Sequence, residues 1–292
     1  MCKILLPSQK TIEISNIIGF GCSLTQGSEL ADQEKYQKFT DDVEKLKRTL
    51  GMQRFWEYNH DIVSTDPSFV TFTEKHIIPL ENERSYLGQL GGMMGVSVMN
   101  FAKAGSSLDH ILLQLIDKKD FINDSSLTVI GLTSMYRDLL FTSKEHNFIF
   151  HDIHFNNYYQ LDRVYNSKEF SKIYMKRYMN DETILWNFFN NLITLINVAE
   201  ELTKGNFVIL PIYRINLSYD DTKVNRDNYN LKFAKIAKSF PDILNNKLNK
   251  YLVDVPIFSE NIDGKDYLGG GHPNYNGHKK FAKLLYDKLV TK

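Results

Sequence analysis

The sequence predicts an α/β protein, a three-layer sandwich in which a five-stranded parallel sheet lies between two layers of helices. Short apolar runs of strand length alternate along the chain with longer segments whose apolar residues recur at helical spacing. Each segment between consecutive strands is long enough for the crossover that parallel strands require. With 292 residues, 42% of them hydrophobic, the chain can bury a large core, and we expect one domain, residues 1–292.

The five predicted strands are apolar runs rich in β-branched or aromatic residues, bounded by glycine and polar turns. They cover residues 17–20, 96–101, 127–131, 206–211 and 251–255. Five such strands in alternation with helices indicate a flavodoxin-like arrangement.

The helices are predicted from apolar spacing and from their end signals. In chain order they are one or two solvated helices in the charged residues 28–59, a helix over 83–94 closed by glycines, one over 108–116 capped by Ser106 or Ser107, one over 185–202 ending at Gly205, a stretch to about 249 interrupted at Pro241, and a closing helix over 281–289.

Residues 137–181 are the least regular part of the chain and exceed the length that a crossover needs. We therefore expect an insertion near the functional site, serving as a lid or as an oligomer contact. The segment contains His146, His151 and His154, but the spacing of the last two lacks a convincing third ligand. We predict a polar and aromatic surface there and no metal site.

The composition limits which kinds of partner and which cellular location we expect for this protein. Lys+Arg and Asp+Glu are each 35, so the formal net charge is zero, which argues against nucleic acid as the main ligand. No stretch approaches the roughly 20 apolar residues that span a bilayer, and residues 1–7, with one lysine, hold too short an apolar run for a signal peptide. The two cysteines, Cys2 and Cys22, fit a reducing compartment. We expect a cytoplasmic protein with no membrane partner, and its oligomeric state stays open.

Residues 17–27 are the most informative stretch. An apolar strand ends in a small-residue turn that places Ser23 at the carboxyl end of the strand, where open α/β sheets bind ligands. Gly21 and Gly27 allow the backbone to bend sharply. A serine there is a candidate nucleophile when a base reaches it, and a plain helix cap otherwise.

The candidate base is His272, in a glycine-rich loop before the closing helix. His278 is a weaker candidate because we expect it inside that helix. A Cys22 thiol nucleophile is conceivable, but on an extended segment its side chain points away from that of residue 23, so we interpret Cys22 as a buried packing residue. A dinucleotide site at Gly19-x-Gly21 lacks the third glycine.

The segment Gly21-Cys22-Ser23-Leu24-Thr25-Gln26-Gly27 resembles the nucleophile block of the SGNH (GDSL-type) hydrolases, closest to a branch that opens Gly-Cys-Ser-x-Thr-x-Gly. His272-Pro273 resembles the C-terminal His block of the same family, and the two motifs together span nearly the whole chain. The resemblance implies the same three-layer fold, with sheet order 2-1-3-4-5.

The resemblance also implies an oxyanion hole made by the backbone N–H groups of Ser23 and Gly105. At the third position the family usually has Asn, and here Thr133 occupies it, with Ser134 where an Asp is usual. The hydroxyl of Thr133 or of Ser134 can donate one hydrogen bond in its place.

The family's Asp three residues before the His is Gly269 in this chain. Asp266, six residues before His272, is our choice to complete a triad, and Asp263 is a second candidate. Without either carboxylate, the chain would carry a Ser–His dyad.

These observations predict a serine esterase or acyl-hydrolase that acts through an acyl-enzyme and needs no cofactor. The expected substrate is a small-molecule or carbohydrate ester, for example an O-acetylated sugar. Two alternatives remain open: a catalytically inactive binding protein on the same fold, for example a phage-encoded factor, and an acyltransferase.

Overall fold

The computed structural model describes residues 1–27, 30, 78–103, 105–133, 137–144, 147–154, 181–212, 241–256, 258 and 273–291. In this part of the chain the strands are β1 Cys2–Leu5, β2 Thr11–Ile14, β3 Asn16–Phe20, β4 Ser97–Asn100, β5 Ser126–Gly131, β6 Arg137–Lys144, β7 Asn147–His154 and β8 Phe207–Leu210. The α-helices are α1 Ser23–Gln26, α2 Ile78–Arg84, α3 Tyr86–Met94, α4 Leu108–Asp117, α5 Asp181–Thr203, α6 Pro241–Tyr251 and α7 Tyr275–Leu289. None of the described helices combines the length and apolarity that a membrane span requires.

The central sheet is parallel, in the order β4-β3-β5-β8. At its edge, Leu252 forms a parallel bridge with Ile209, and the Val253 N–H donates to the Ile209 carbonyl at 3.0 Å. When only the strands of this sheet are numbered, in the order they occur along the chain, the sheet order is 2-1-3-4. The segment at Leu252 and Val253 adds a short fifth position next to the fourth strand. The α/β fold and this strand order are confirmed, although the fifth position holds one bridge instead of a full strand.

The prediction that the fifth strand begins at residue 251 was wrong, because α6 continues to Tyr251. The Tyr251 ring stacks on Phe207 with centroids 3.9 Å apart, and its hydroxyl donates to Glu200 Oε1 at 2.5 Å. These two contacts hold Tyr251 against β8 and α5 as the last helical residue. Pro241, predicted to interrupt this helix, is its first residue, where the missing N–H costs no hydrogen bond.

Two apolar cores lie on the two faces of the sheet, because alternate strand residues point to opposite sides. Helices α3 and α7 cover one face, and α4 and α5 cover the other. The first core includes Ile17, Leu127, Val208, Tyr86, Leu87, Leu90, Phe281 and Leu285. The second includes Ile18, Ile130, Ile209, Ile111, Leu115, Phe189, Leu192 and Ile196. The molecule is thus the three-layer sandwich that the alternation of elements predicts.

Three local features differ from the sequence-based expectation. The chain begins with an antiparallel hairpin of β1 and β2, which the periodicity did not indicate. The helix predicted over residues 83–94 is divided at Ser85, whose side chain accepts a hydrogen bond from the Gly88 N–H and so caps α3. The first part of the predicted insertion is a hairpin, in which β6 pairs antiparallel with β7. Apart from Leu30, the charged segment 28–59 lies outside the described residues.

Candidate active site

The strand β3 and the helix α1 place Ser23 at the carboxyl end of the sheet. All five residues of β3 are buried, Cys22 is the N-cap of α1, and Ser23 is the first helical residue, 5% exposed. The Cys22 carbonyl accepts hydrogen bonds from the N–H groups of Thr25 and Gln26 at 3.0 and 2.9 Å. We call residues 21–27 the Ser23 turn. It is a short strand-to-helix turn closed by its own backbone hydrogen bonds.

Two glycines make this turn possible. A Cβ at Gly21 would lie 2.4 Å from Thr25 Oγ1, so a larger residue there would collide with the turn itself. Gly27 has φ +83°, a left-handed conformation that favours glycine, and ends α1 with a hydrogen bond from its N–H to the Ser23 carbonyl. The turn therefore requires glycine at both positions of the sequence motif, for lack of space at Gly21 and for the backbone conformation at Gly27.

Asn100, the last residue of β4, joins the Ser23 turn to the next loop. Its Nδ2 donates to the Thr25 carbonyl at 2.9 Å, and its Oδ1 accepts from the Ala102 N–H at 3.1 Å. The Lys103 N–H also donates to the Gly21 carbonyl at 3.1 Å. The β4–α4 loop is therefore tied to the Ser23 turn by both side-chain and backbone hydrogen bonds.

Gly105 lies in this β4–α4 loop, with φ +86°. The loop ends at Ser107, which caps α4 by accepting from the His110 N–H at 3.2 Å. Among the described residues no acceptor takes the Gly105 N–H. The structure thus brings Gly105 to the same edge of the sheet as Ser23, on a loop bonded to the Ser23 turn.

Thr133 lies just after β5 and is buried. Its hydroxyl donates to the Ser106 carbonyl at 2.7 Å, a bond that ties the end of β5 to the loop carrying Gly105. The sequence-based role of Thr133 as an oxyanion donor stays a prediction. A threonine hydroxyl has one proton, and in this structure that proton is directed at Ser106.

His272 and Asp266, the other two predicted catalytic residues, lie outside the described residues, as do Asp263 and Ser134. The residue after His272, Pro273, is buried, and Asn274 caps α7 by accepting from the Gly277 N–H at 3.1 Å. The closing helix therefore begins three residues after His272.

His278, the weaker candidate base, is fully buried inside α7. Its Nδ1 accepts a hydrogen bond from the Tyr86 N–H at 3.0 Å, at the start of α3. The same tyrosine donates its hydroxyl to Thr25 Oγ1 at 3.1 Å, and burial is the main cause that raises its pKa far above the ordinary value for tyrosine. His278 thus has a structural hydrogen bond, as expected for a residue within the helix.

Sequence reasoning missed Asn100, Thr25 and Tyr86 as parts of this site. Asn100 at the end of a strand, just before a glycine-containing loop, is the clearest signal that was available, since a polar side chain there can bond to a neighbouring turn. Thr25 is part of the Gly-Cys-Ser-x-Thr-x-Gly pattern, which assigned it no role, and Tyr86 carried no comparable signal. Within the described part of the chain, no cluster of three His, Cys, Asp or Glu residues could hold a metal ion.

Comparison with known proteins gives structural neighbours only. No family model and no curated protein sequence matches the chain. A lipolytic protein of the G-D-S-L family from Desulfitobacterium hafniense DCB-2 is 11% identical, covering 94% of this chain and 99% of that one, with a TM-score of 0.42. The psychrotrophic esterase EstA from Pseudoalteromonas sp. is 11% identical over 94% and 96% of the two chains, with a TM-score of 0.44.

A carbohydrate esterase whose active site is described as having divergent catalytic and non-catalytic binding functions is 13% identical. It covers 96% of this chain and 70% of that one, with a TM-score of 0.45. These neighbours include proteins of the group that the motifs at Ser23 and His272 resemble. At these identities and TM-scores the neighbours carry no argument about this chain, and any statement about the reaction depends on its own residues.

Proposed function

We propose that this protein is a serine esterase or acyl-hydrolase in which Ser23 is the nucleophile. The observation that carries the proposal is the position of Ser23 on a strand-to-helix turn at the carboxyl end of β3, bonded directly to the loop that presents Gly105. Ester hydrolysis needs a nucleophile next to N–H donors that face the developing oxyanion. Two loops at one edge of a parallel sheet supply both kinds of group.

In the proposed mechanism Ser23 Oγ attacks the ester carbonyl carbon while His272 takes its proton. The carbonyl oxygen becomes negative and is stabilised by the N–H groups of Ser23 and Gly105. His272 then gives the proton to the departing alcohol, and an acyl-enzyme on Ser23 is left. Water attacks the acyl-enzyme with His272 again as base, releasing the acid and restoring the serine.

Two residues complete the proposal. Asp266 would accept a hydrogen bond from the His272 ring and hold the ring in the reactive tautomer. Without that bond, Ser23 and His272 would act as a dyad. Thr133 would give the third oxyanion donor only by exchanging its bond to the Ser106 carbonyl for one to the oxyanion. The low exposure of Ser23 favours a short acyl group, such as acetyl on a small alcohol or a carbohydrate.

The test is labelling with a fluorophosphonate probe, with the adduct located by mass spectrometry and hydrolysis of short nitrophenyl esters and acetylated sugars followed in parallel. We expect an adduct on Ser23 that is lost in Ser23→Ala and strongly reduced in His272→Ala. Ser97→Ala is the matched control, because Ser97 lies at the opposite, amino end of β4 and bonds to the Ser15 carbonyl. Full esterase activity in Ser23→Ala would contradict the proposal.

A catalytically inactive binding protein is the second candidate, and the engaged hydroxyl of Thr133 together with Gly269 at the usual Asp position favours it. Ligand binding by the folded wild-type protein without labelling or turnover would support this reading. An acyltransferase would instead form the Ser23 adduct and release more product when a sugar alcohol is added as acceptor.

A further inference from the structure

Tyr86 links the Ser23 turn to the closing helix through two buried hydrogen bonds. Its hydroxyl donates to Thr25 Oγ1 at 3.1 Å, and its backbone N–H donates to His278 Nδ1 at 3.0 Å. Tyr86 and Thr25 are both fully buried. Thr25 is two residues after Ser23, and His278 lies on the helix that begins just after His272. Tyr86 therefore contacts both the turn that carries the proposed nucleophile and the helix that follows the proposed base.

The Tyr86 ring packs on the closing helix and on Phe258. It stacks on the His278 ring with centroids 6.0 Å apart and meets Phe281 of α7 edge to face at 5.1 Å. It also meets Phe258 edge to face at 5.4 Å, and Phe258 in turn contacts the His278 ring at 4.9 Å. This aromatic cluster fixes the ring, and so it fixes the direction in which the hydroxyl points.

The end of β5 leaves room for the bond between Tyr86 and Thr25. A Cβ at Gly131 would lie 2.2 Å from Thr25 Oγ1 and 3.2 Å from the Tyr86 hydroxyl oxygen. Only a glycine therefore lets the two hydroxyls meet against the strand. Because burial raises the pKa of Tyr86 far above its ordinary value, the phenol stays protonated and keeps donating across the working range of pH.

We propose that Tyr86 is a positioning residue, whose hydroxyl bond to Thr25 sets the orientation of Ser23 relative to the helix that follows His272. The inference rests on the proposed function of Ser23 for its effect on rate. Its structural part, the restraint of the Ser23 turn, stands independently of any reaction. Tyr86 does not reach the reacting atoms in this role; it acts through Thr25.

The first test is the variant Tyr86→Phe, which keeps the ring and removes the hydroxyl. Tyr251→Phe is the matched control, because Tyr251 is also buried and also loses one hydroxyl bond, to Glu200, away from the Ser23 turn. We expect Tyr86→Phe to lower kcat on a short nitrophenyl ester by about 10-fold to 100-fold with KM within about twofold, and Tyr251→Phe to change neither. A residue that only stabilises the fold would not produce this split between kcat and KM.

The partner residue provides a second arm. Thr25→Ser keeps the accepting oxygen and should retain most of kcat, whereas Thr25→Val removes it and should match Tyr86→Phe. If the two hydroxyls act through one bond, the double variant should be no slower than either single variant. A double variant whose losses multiply would overturn the proposal.

Amide hydrogen exchange separates this proposal from the proposed function. The N–H groups of Thr25, Gln26 and Gly27 form the hydrogen bonds that close the turn, and we expect them to exchange at least about tenfold faster in Tyr86→Phe than in Tyr251→Phe. A wild-type protein without hydrolysis would refute the esterase and leave this readout intact. Unchanged exchange of these amides, or an unchanged kcat in an active enzyme, would refute the role of Tyr86.

Discussion

The substitution Gly27→Ala tests how the Ser23 turn is built. Gly27 has φ +83° and ends α1, and a Cβ there would lie 2.7 Å from the Glu81 carbonyl oxygen and 2.9 Å from Ser85 Cβ. The carbonyl cannot move cheaply, because it is backbone and already accepts the Ser85 N–H at 2.8 Å. The variant therefore adds a steric collision to an unfavourable backbone conformation.

The two costs can be measured separately because Gly95 also ends a helix in a left-handed conformation but has no steric collision at its Cβ. Gly95 ends α3 with φ +67°, and a Cβ there would meet nothing within 4 Å. We expect Gly95→Ala to lower the free energy of unfolding by about 1 kcal/mol, the conformational cost alone. Gly27→Ala adds about 1–3 kcal/mol of overpacking, for a total of about 2–4 kcal/mol.

Urea unfolding followed by circular dichroism gives these differences from the shift in midpoint at constant m-value. Gly92→Ala completes the series: Gly92 is an exposed helical residue with open space at its Cβ, so alanine should stabilise by about 0.5–1 kcal/mol. We also expect slower phosphonylation of Ser23 in Gly27→Ala and an unchanged rate in Gly95→Ala. Equal losses of stability in Gly27→Ala and Gly95→Ala, within about 0.3 kcal/mol, would refute the collision.

Three further predictions concern the same edge of the sheet. Asn100→Ala should cost about 1–3 kcal/mol of unfolding free energy, because two hydrogen bonds are lost, and should slow phosphonylation of Ser23; an unchanged rate would contradict its role in joining the two loops. Thr133→Val should reduce kcat while Thr133→Ser keeps it, since only the serine hydroxyl can bond to the Ser106 carbonyl; equal kcat in both variants would show that this bond has no effect on rate. Cys22 is buried in the first core and Cys2 is half-buried, so iodoacetamide should modify Cys2 alone in the folded protein and both thiols in urea; rapid modification of Cys22 in the folded protein would reopen the thiol alternative.

Local patterns determined much of this fold. The apolar run before Ser23 predicted a buried strand, and β3 is buried at all five residues. Gly205 was predicted to end the long helix, and it adopts φ +78° two residues after the last helical residue, Thr203. Both features are determined by residues close together in the sequence, so a local sequence pattern is enough to predict them.

The contacts that shape the site join residues that are far apart in the sequence. Asn100 bonds to a carbonyl 75 residues away, and the Tyr86 N–H bonds to a side chain 192 residues away. Such bonds leave no periodic pattern, because the partners meet only after the sheet has formed and the closing helix has packed on α3. The fifth strand shows the same limit, since the contacts of Tyr251 with Phe207 and Glu200 extend the helix into the segment whose apolar run predicted a strand.

The sequence by itself determined that Ser23 lies on a glycine-bounded turn at the carboxyl end of a buried strand, because strand burial and turn chemistry are local. Only the tertiary structure decided what holds that turn: the Asn100 amide from the neighbouring strand and the Tyr86 hydroxyl from a helix that also contacts α7. The physical reason is that a hydrogen bond between distant residues depends on the packing of the whole sheet and its helices, and no short stretch of the chain encodes it.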